Sequence, residues 1–200
     1  MKKNIYKTKF IVFEGLDGSG QSTQARLLRD FLVKKGYKVV LTKEPTLESA
    51  AGRKIKKILD KEEKISPGRL QKLFAQDRKE HLKKVIIPAL KQGKIVITDR
   101  YFFSSFAYGA TEGLSLERLI KLNENFLMPD LTIILKVSPE ICLQRIKKRN
   151  KKITLFEKKE KLARVWQFYR ILPKKFENVK LINGERPIKE VFSEIKKLFF

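Results

Sequence analysis

Short apolar runs alternate with amphipathic stretches along most of the chain. The runs are rich in Ile, Val and Leu, a composition that is typical of strands covered on both faces of a sheet. The predicted strands are Phe10–Phe13, Val39–Leu41, Ile95–Thr98, Leu131–Val137 and Val179–Ile182. Because strands and helical patterns alternate, the sequence predicts an α/β fold with a parallel sheet.

Helical patterns fill the intervals, and several of them have clear ends. Gly36 is a good stop for the first helix. Ser66 and Pro67 provide an N-cap and a first-turn residue for another. The predicted helices are Ser22–Lys35, Pro67–His81, Ser115–Phe126, Ser138–Arg149, Phe156–Leu172 and Pro187–Phe199. We find no linker, repeat or low-complexity segment, so we expect residues 1–200 to form a single domain.

Composition narrows the class of protein. The 200 residues are 42% hydrophobic and 10% aromatic, which indicates a globular protein with a sizeable core. No apolar run approaches the roughly 20 residues of a membrane span, and the single cysteine, Cys142, gives neither an internal disulfide nor a metal pattern. We therefore expect a cytoplasmic protein that makes no membrane contact.

The net charge of +24 favours anionic partners such as nucleotides. The excess is mostly lysine and is spread along the whole chain, which indicates a solvated basic surface more than one nucleic-acid groove. A nucleic-acid-binding protein stays open as an alternative. The sequence lacks a recognisable motif for reading nucleic-acid bases, so no specific nucleic acid is expected as a partner.

The segment Phe13–Gln24, FEGLDGSGQSTQ, is close to the phosphate-loop pattern G-x-x-x-x-G-K-[ST]. Gly15 and Gly20 have the required spacing and Ser22 stands at the hydroxyl position, but Gln21 replaces the lysine. A strand precedes the segment and a helix follows it, which is the context that such a loop needs. Glycines let backbone amides converge on an anion, and the helix N-terminus adds partial positive charge. The alternative is a glycine turn that binds no ligand.

Two further segments supply candidate site residues. The run KIVITDR is an apolar strand that ends in Asp99 and Arg100, and a strand-end Asp beside a phosphate loop is where nucleotide enzymes place an indirect Mg²⁺ ligand. In LFAQDRKEH, Phe74 and Arg78 share a helix face, so a ring could stack on a base while a guanidinium donates to its carbonyl oxygens. The alternative is a core Phe with a surface Arg. We interpret the only histidine, His81, as structural.

The sequence resembles the thymidylate kinases. The shared blocks are FIVFEGLDGSG-ST, LFAQDRKEH, DRYFFSSFAY, PDLTIIL with SPE, and KRN with a later FE, in the family's order over about residues 9–172. The resemblance implies a three-layer P-loop kinase fold, with helices flanking a five-stranded parallel sheet of order 2-3-1-4-5 and a short basic lid at about residues 147–156. It also implies transfer of the γ-phosphoryl group of ATP to dTMP, dependence on Mg²⁺, and a homodimer.

The resemblance implies a role for each matching residue. Asp17 would contact the sugar 3′-hydroxyl, Arg100 would hold the acceptor phosphate, and Tyr108 would favour deoxyribose. The expected dTMP-binding residues are Asp17, Glu44, Pro45, Phe74, Arg78, Arg100, Ser104 and Tyr108. The expected ATP-binding residues are Gly15, Leu16, Asp17, Gly18, Ser19, Gly20, Gln21, Ser22, Thr23 and Arg145. The expected catalytic residues are Asp17, Gln21, Arg100 and Arg149, with Ser22 and Asp99 at the metal.

Three positions depart from the family pattern. Gln21 replaces the loop lysine, Leu155 stands where many members have a lid arginine, and Gly109 stands where a Gln or Thr is expected after Tyr108. The first two changes remove positive charge near the transferring phosphate, and a nucleotide-binding pseudokinase is therefore an alternative to an active dTMP kinase. The third touches the base pocket, and a kinase for another deoxynucleoside monophosphate is a further alternative. We expect an active enzyme in which a cation of Lys147–Lys152 replaces the missing charge.

Overall fold

A computed structural model describes residues 1–148 and 158–199 of the chain. Residues 149–156 of the predicted lid, with Arg149 and Leu155, lie outside the described residues. The described part contains one five-stranded sheet in which every pairing between strands is parallel. Its order, β2-β3-β1-β4-β5, confirms the predicted order. The strands are β1 (Phe10–Gly15), β2 (Val39–Lys43), β3 (Ile95–Asp99), β4 (Leu131–Lys136) and β5 (Val179–Asn183).

Helices connect the strands and cover both faces of the sheet. They are α1 (Gln21–Lys34), α2 (Ala50–Leu59), α3 (Pro67–His81), α4 (Ile87–Lys91), α5 (Phe102–Thr111), α6 (Leu116–Asn123), α7 (Pro139–Lys147), α8 (Lys159–Tyr169), α9 (Leu172–Lys175) and α10 (Ile188–Lys196). A π-helical turn, Leu82–Ile86, joins α3 to α4.

Several predicted helix ends differ from the observed ones. Within the described residues, the predicted helix Phe156–Leu172 is shorter: α8 ends at Tyr169, and Leu172 is already the first residue of α9, which has Pro173 in its first turn. The helix predicted over Ser115–Phe126 begins at Leu116, after a Ser115 cap, and stops at Asn123. Ser66 occupies the predicted cap position of α3, but its side chain makes no capping hydrogen bond.

The sequence interpretation missed α2 and α5 for different reasons. In α2, the buried Ala51, Ile55 and Ile58 follow helical spacing, so a usable signal was present. In α5, eight of ten residues are buried, and a helix that is apolar all round shows no periodic face.

Alternate residues of β1 face two different core layers. Phe10 and Val12 pack in the larger layer with α5 and α8, while Ile11 and Phe13 pack against α1 and α10. Since side chains alternate across a strand, Glu14 points into the same layer as Phe10 and Val12. A carboxylate is thereby placed among buried aromatic residues at the carboxyl end of the central strand.

The carboxyl ends of β1, β2 and β3 meet at one edge of the sheet. The register pairs Phe13 with Asp99, and Asp99 with Lys43. The phosphate loop after β1, Arg100 after β3 and Glu44 after β2 therefore lie side by side, as expected for ligand sites in open α/β sheets. Within residues 1–148 and 158–199, no helix is long and apolar enough to cross a bilayer.

Candidate active site

The loop between β1 and α1 has the backbone that a phosphate loop requires. Gly15, Gly18 and Gly20 have φ angles of 144°, 88° and 100°, which L-residues rarely adopt. At Gly18, a Cβ would lie 2.5 Å from the carbonyl oxygen of Cys142, so any side chain would collide with the backbone of α7. The loop can therefore curve tightly around a ligand while it packs against α7.

Two buried polar groups of this loop have no hydrogen-bond partner among the described residues. They are the Oγ of Ser19 and the Nε2 of Gln21. Both lie beside Gly15, since a Cβ on that glycine would be 2.8 Å from Ser19 Oγ and 3.2 Å from Gln21 Nε2. A buried donor that lacks a partner costs about 1–3 kcal/mol, and an anion in the loop would offset that cost. The amide of Gln21 is thus positioned to donate to a phosphate oxygen, although without charge.

Ser22 and Asp99 meet at the mouth of the loop. The hydroxyl of Ser22 donates to Oδ2 of Asp99, and the other carboxylate oxygen, Oδ1, is buried without a partner in the described part of the chain. An exposed hydroxyl beside a carboxylate with a spare oxygen is a donor set that suits Mg²⁺ bound to phosphates. The two residues therefore fit the predicted metal site.

Arg145 braces the loop from the side of α7. Its guanidinium donates to the carbonyl oxygens of Ser19, at 3.2 Å, and Gly184, at 3.1 Å. The residue lies beside the phosphate loop, as the resemblance implies. Both of these contacts are with backbone oxygens, so part of its role is to hold the loop in shape.

Arg100 and Asp17 form the centre of the site. Nη2 of Arg100 donates to Oδ1 of Asp17 at 2.9 Å, and the hydroxyl of Tyr108 donates to Oδ2 of Asp17 at 2.9 Å. Nη1 of Arg100 donates to Ser104 Oγ at 2.9 Å. The backbone of Arg100 has a φ of 75°, an uncommon conformation for a residue other than glycine and one often found at functional sites.

A buried network under Arg100 holds it in place. Glu14 accepts hydrogen bonds from the backbone N–H groups of Tyr101 and Ser104, from Ser104 Oγ at 2.6 Å and from the hydroxyl of Tyr169 at 2.8 Å. Burial raises the pKa of the Glu14 carboxyl, although the charge of Arg100 and these hydrogen bonds lower it in part. Burial and the nearby Glu14 raise the pKa of the Tyr169 hydroxyl, which therefore stays protonated and can donate.

A second cavity, of about 190 Å³, lies beyond Arg100 between α3 and α5. Phe74 is half-buried in its wall, and Arg78 lies one turn further along α3. We call it the acceptor cavity. Its lining residues are Asp17, Glu44, Pro45, Leu59, Gln71, Phe74, Arg78, Arg100, Tyr101, Ser104, Ser105 and Tyr108.

Arg78 is buried, which contradicts the alternative of a core Phe with a surface Arg. Only 1% of its side chain is exposed. Its guanidinium donates to Glu44 Oε2 at 2.8 Å, to Asn123 Oδ1 at 2.6 Å and to Ser105 Oγ at 3.4 Å. A buried charge needs such partners, and they fix the direction in which the guanidinium faces the cavity.

His81 completes the support behind the acceptor cavity. Its Nδ1 lies 3.1 Å from Oε1 of Glu44, and its Nε2 lies 2.8 Å from Oγ1 of Thr42. Both carboxylate oxygens of Glu44 are thus engaged, one by Arg78 and one by His81. This contact set agrees with the structural role predicted for His81.

An open cleft of about 730 Å³ lies on the other side of Arg100, along the phosphate loop. Gln21, Ser22 and Asp99 line it, and so do two cations besides Arg100, namely Arg26 and Lys43. The cleft and the acceptor cavity share three lining residues: Asp17, Glu44 and Arg100. A group held in one cavity can therefore meet a group held in the other at the Asp17–Arg100 pair.

The family model described as Thymidylate kinase matches residues 13–195. The chain belongs to the thymidylate kinase family. It is 44% identical over 195 residues to a protein of Pyrococcus horikoshii named probable thymidylate kinase, with 94% of each chain covered. It is 42% identical over 197 residues to the thymidylate kinase of Caldicellulosiruptor saccharolyticus, with 96% of each chain covered.

Membership of the thymidylate kinase family confirms the predicted fold and the predicted class of enzyme, a nucleoside monophosphate kinase. Most of the predicted site residues within the described ranges line one of the two cavities; Gly15, Leu16, Ser19 and Arg145 line neither. Gln21, Ser22 and Asp99 line the cleft, while Pro45, Phe74, Arg78 and Tyr108 line the acceptor cavity. Arg149 lies outside the described residues.

Sequence reasoning missed several residues of this thymidylate kinase site. Glu14 could have been noticed, because it is a carboxylate in an otherwise apolar buried strand. Tyr169 and Ser105 had no sequence signal, since their roles depend on contacts with distant residues: 155 positions separate Tyr169 from Glu14. Gln71, which also lines the acceptor cavity, gave no signal either.

Proposed function

We propose that this chain transfers the γ-phosphoryl group of ATP to dTMP and forms dTDP, with Mg²⁺ as cofactor. One observation carries the proposal: a phosphate loop and a cavity lined by an aromatic ring and a buried Arg open onto the same Asp17–Arg100 pair. Two anionic substrates would be brought together at that pair. There the guanidinium of Arg100, which is always charged, can bind phosphate oxygens through two N–H groups. The family and its named relatives support the same reaction.

On the donor side, the backbone amides of the loop and the helix N-terminus would hold the phosphates of ATP. Gln21 Nε2 and Ser19 Oγ, both without partners in the described residues, would donate to phosphate oxygens. Ser22 and Asp99 would hold Mg²⁺, which would supply positive charge to offset that of the phosphates.

On the acceptor side, Phe74 would stack on thymine and Arg78 would donate to a base carbonyl. Asp17 would accept a hydrogen bond from the 3′-hydroxyl of the sugar. Tyr108, whose hydroxyl donates to Oδ2 of Asp17 at 2.9 Å, would crowd the 2′ position. Arg100 would hold the acceptor phosphate in line with the γ-phosphate. Phosphoryl transfer needs little beyond this positioning and charge stabilisation.

The direct test is a coupled assay of ADP formation with ATP, Mg²⁺ and dTMP, repeated with dUMP, dCMP and dGMP. We expect turnover with dTMP at the highest kcat/KM and none when Mg²⁺ is chelated. A higher kcat/KM for dCMP or dGMP would replace dTMP with that monophosphate as the substrate.

The pseudokinase alternative rested on Gln21 and Leu155. The family match and the relatives' names do not favour it, and the acceptor cavity is fully assembled. Binding of ATP and dTMP without formation of dTDP would select it. The homodimer implied by the resemblance and the cytoplasmic location expected from the composition remain predictions, and sedimentation of the purified chain would test the first.

A further inference from the structure

Gln71 is a buried polar residue in the wall of the acceptor cavity. It lies on α3, three residues before Phe74, and is 3% exposed. Its Oε1 is buried and has no hydrogen-bond partner among residues 1–148 and 158–199. Buried amide oxygens are normally paired, so an unpaired one beside a cavity indicates a ligand that brings a donor.

Gly109 on α5 makes room for this side chain. A Cβ at position 109 would lie 3.2 Å from Cδ of Gln71 and 2.8 Å from Cδ2 of Leu119. Any side chain larger than hydrogen would press on both neighbours. The position of Gln71 in the cavity wall therefore depends on a glycine directly after Tyr108.

A pyrimidine imide needs an acceptor as well as a donor from its site. The C4 carbonyl of thymine accepts a hydrogen bond, while its N3–H donates one. Arg78 offers only donors. Both oxygens of Glu44 are engaged, by Arg78 and by His81, and Ser105 Oγ lies 3.4 Å from Nη2 of Arg78. In the described cavity wall, two side-chain polar atoms lack a partner, Gln71 Oε1 and the Tyr101 hydroxyl, and Gln71 Oε1 is the carbonyl-type acceptor of the two.

We propose that Oε1 of Gln71 accepts the N3–H of the pyrimidine imide bound in the acceptor cavity. Together with a donor from Arg78, it forms a pair that reads the N3 and C4 edge of the base. This assignment rests on the proposed function and adds the group that recognises the imide hydrogen.

Gln24 provides a matched control. It is also a buried glutamine, 3% exposed, whose Oε1 has no partner in the described chain. Its Nε2 donates to the carbonyl of Ile188 at 3.1 Å, and it lies on α1 outside the residues that line the cleft and the acceptor cavity. An effect specific to the base should appear at Gln71 and not at Gln24.

The test is a double-mutant cycle on equilibrium binding. Calorimetry gives the Kd of dTMP and of its N3-methyl analogue for the wild type, Gln71→Met and Gln24→Met. Methionine keeps the length of glutamine but cannot act as a comparable acceptor. We expect Gln71→Met to bind dTMP about 10-fold more weakly, the worth of one such hydrogen bond. N3-methylation should weaken binding to the wild type and Gln24→Met by more than it weakens binding to Gln71→Met.

The deciding quantity is the methylation penalty, which is the factor by which N3-methylation of dTMP raises its Kd. Equal methylation penalties in the wild type and Gln71→Met would overturn the proposal, as would loss of the penalty in Ser105→Ala with its retention in Gln71→Met. If Gln71→Met does not fold, Gln71→Asn, which withdraws the amide by one methylene, replaces it in the cycle. A wild type that binds dTMP but forms no dTDP would refute the proposed function. The double-mutant cycle would still test the role of Gln71, because it measures binding alone. A wild type that does not bind dTMP would refute both.

Discussion

Arg100 donates to Asp17 over 2.9 Å at the point where the cleft along the phosphate loop meets the acceptor cavity. Only 16% of the Arg100 side chain is exposed, so its direction is set by protein contacts rather than by solvent. The pair is therefore organised before a ligand arrives.

Replacement of Arg100 by lysine should lower kcat/KM for dTMP by about 10- to 100-fold. Hydrogen bonds to charged groups are worth about 1.5–3 kcal/mol. The single ammonium of lysine cannot contact Asp17 and an acceptor phosphate at the same time in the way that the planar guanidinium of arginine can. Steady-state kinetics with varied dTMP at saturating ATP measures the loss. An unchanged kcat/KM would show that Arg100 does not bind the acceptor phosphate.

Gln21 is predicted to be a tolerated replacement for the loop lysine. Gln21→Lys should leave kcat similar or higher, because the loop geometry is otherwise complete and a cation would be added near the phosphates. Gln21→Met, which removes the buried donor, should lower kcat. Single-turnover kinetics on the three proteins gives the ranking. A wild type that is inert while Gln21→Lys turns over would instead establish the pseudokinase.

The buried carboxyl of Glu14 should make stability depend on pH. Its pKa is raised above its ordinary value of 4.5 in the folded chain, so the folded state binds more protons than the unfolded state across the interval between the two values. The free energy of unfolding should therefore fall as pH rises through that interval. In Glu14→Gln this contribution is absent, so the stability of the wild type relative to the variant should be greatest at or below pH 4.5 and should decrease above it. Urea unfolding of both proteins from pH 4 to pH 8 measures the difference. A difference that rises with pH would contradict the assignment.

Removal of the Tyr169 hydroxyl should weaken the hydrogen-bond network that holds Arg100 in place. Tyr169→Phe deletes the donor to Glu14 and a neighbour of Arg100 at 3.4 Å, and should cost about 1–2 kcal/mol of stability together with a reduced kcat/KM for dTMP. Tyr37→Phe is the matched control, because Tyr37 is 47% exposed. Equal urea midpoints for the two variants would argue against a structural role of the Tyr169 hydroxyl.

The strands, the phosphate loop and Asp99 could be predicted because their signals are local. Buried parallel strands are continuous apolar runs, and a loop between such a strand and a helix has a fixed glycine spacing. Asp99 followed from its place at a strand end. Each of these signals fits within a dozen neighbouring residues.

The environment of the acceptor cavity could not be predicted in the same way. The burial of Arg78 depends on Asn123, 45 positions away, and on Ser105, 27 positions away. The room for the Gln71 side chain depends on a glycine in another helix. Such contacts exist only once α3, α5 and α6 have packed, and nothing in the spacing of residues along one helix reports them.

Arg145 ties the carbonyl of Ser19 to the carbonyl of Gly184 and so joins the nucleotide end of the molecule to the segment that follows β5. Gly184 in turn packs against Val137, where a Cβ would come within 2.7 Å of a methyl group. The boundary of a minimal active fragment is therefore set well beyond Tyr108, the last described residue that lines either cavity. A chain shortened before Gly184 would keep every side chain of the acceptor cavity and still lose the brace that shapes its phosphate loop.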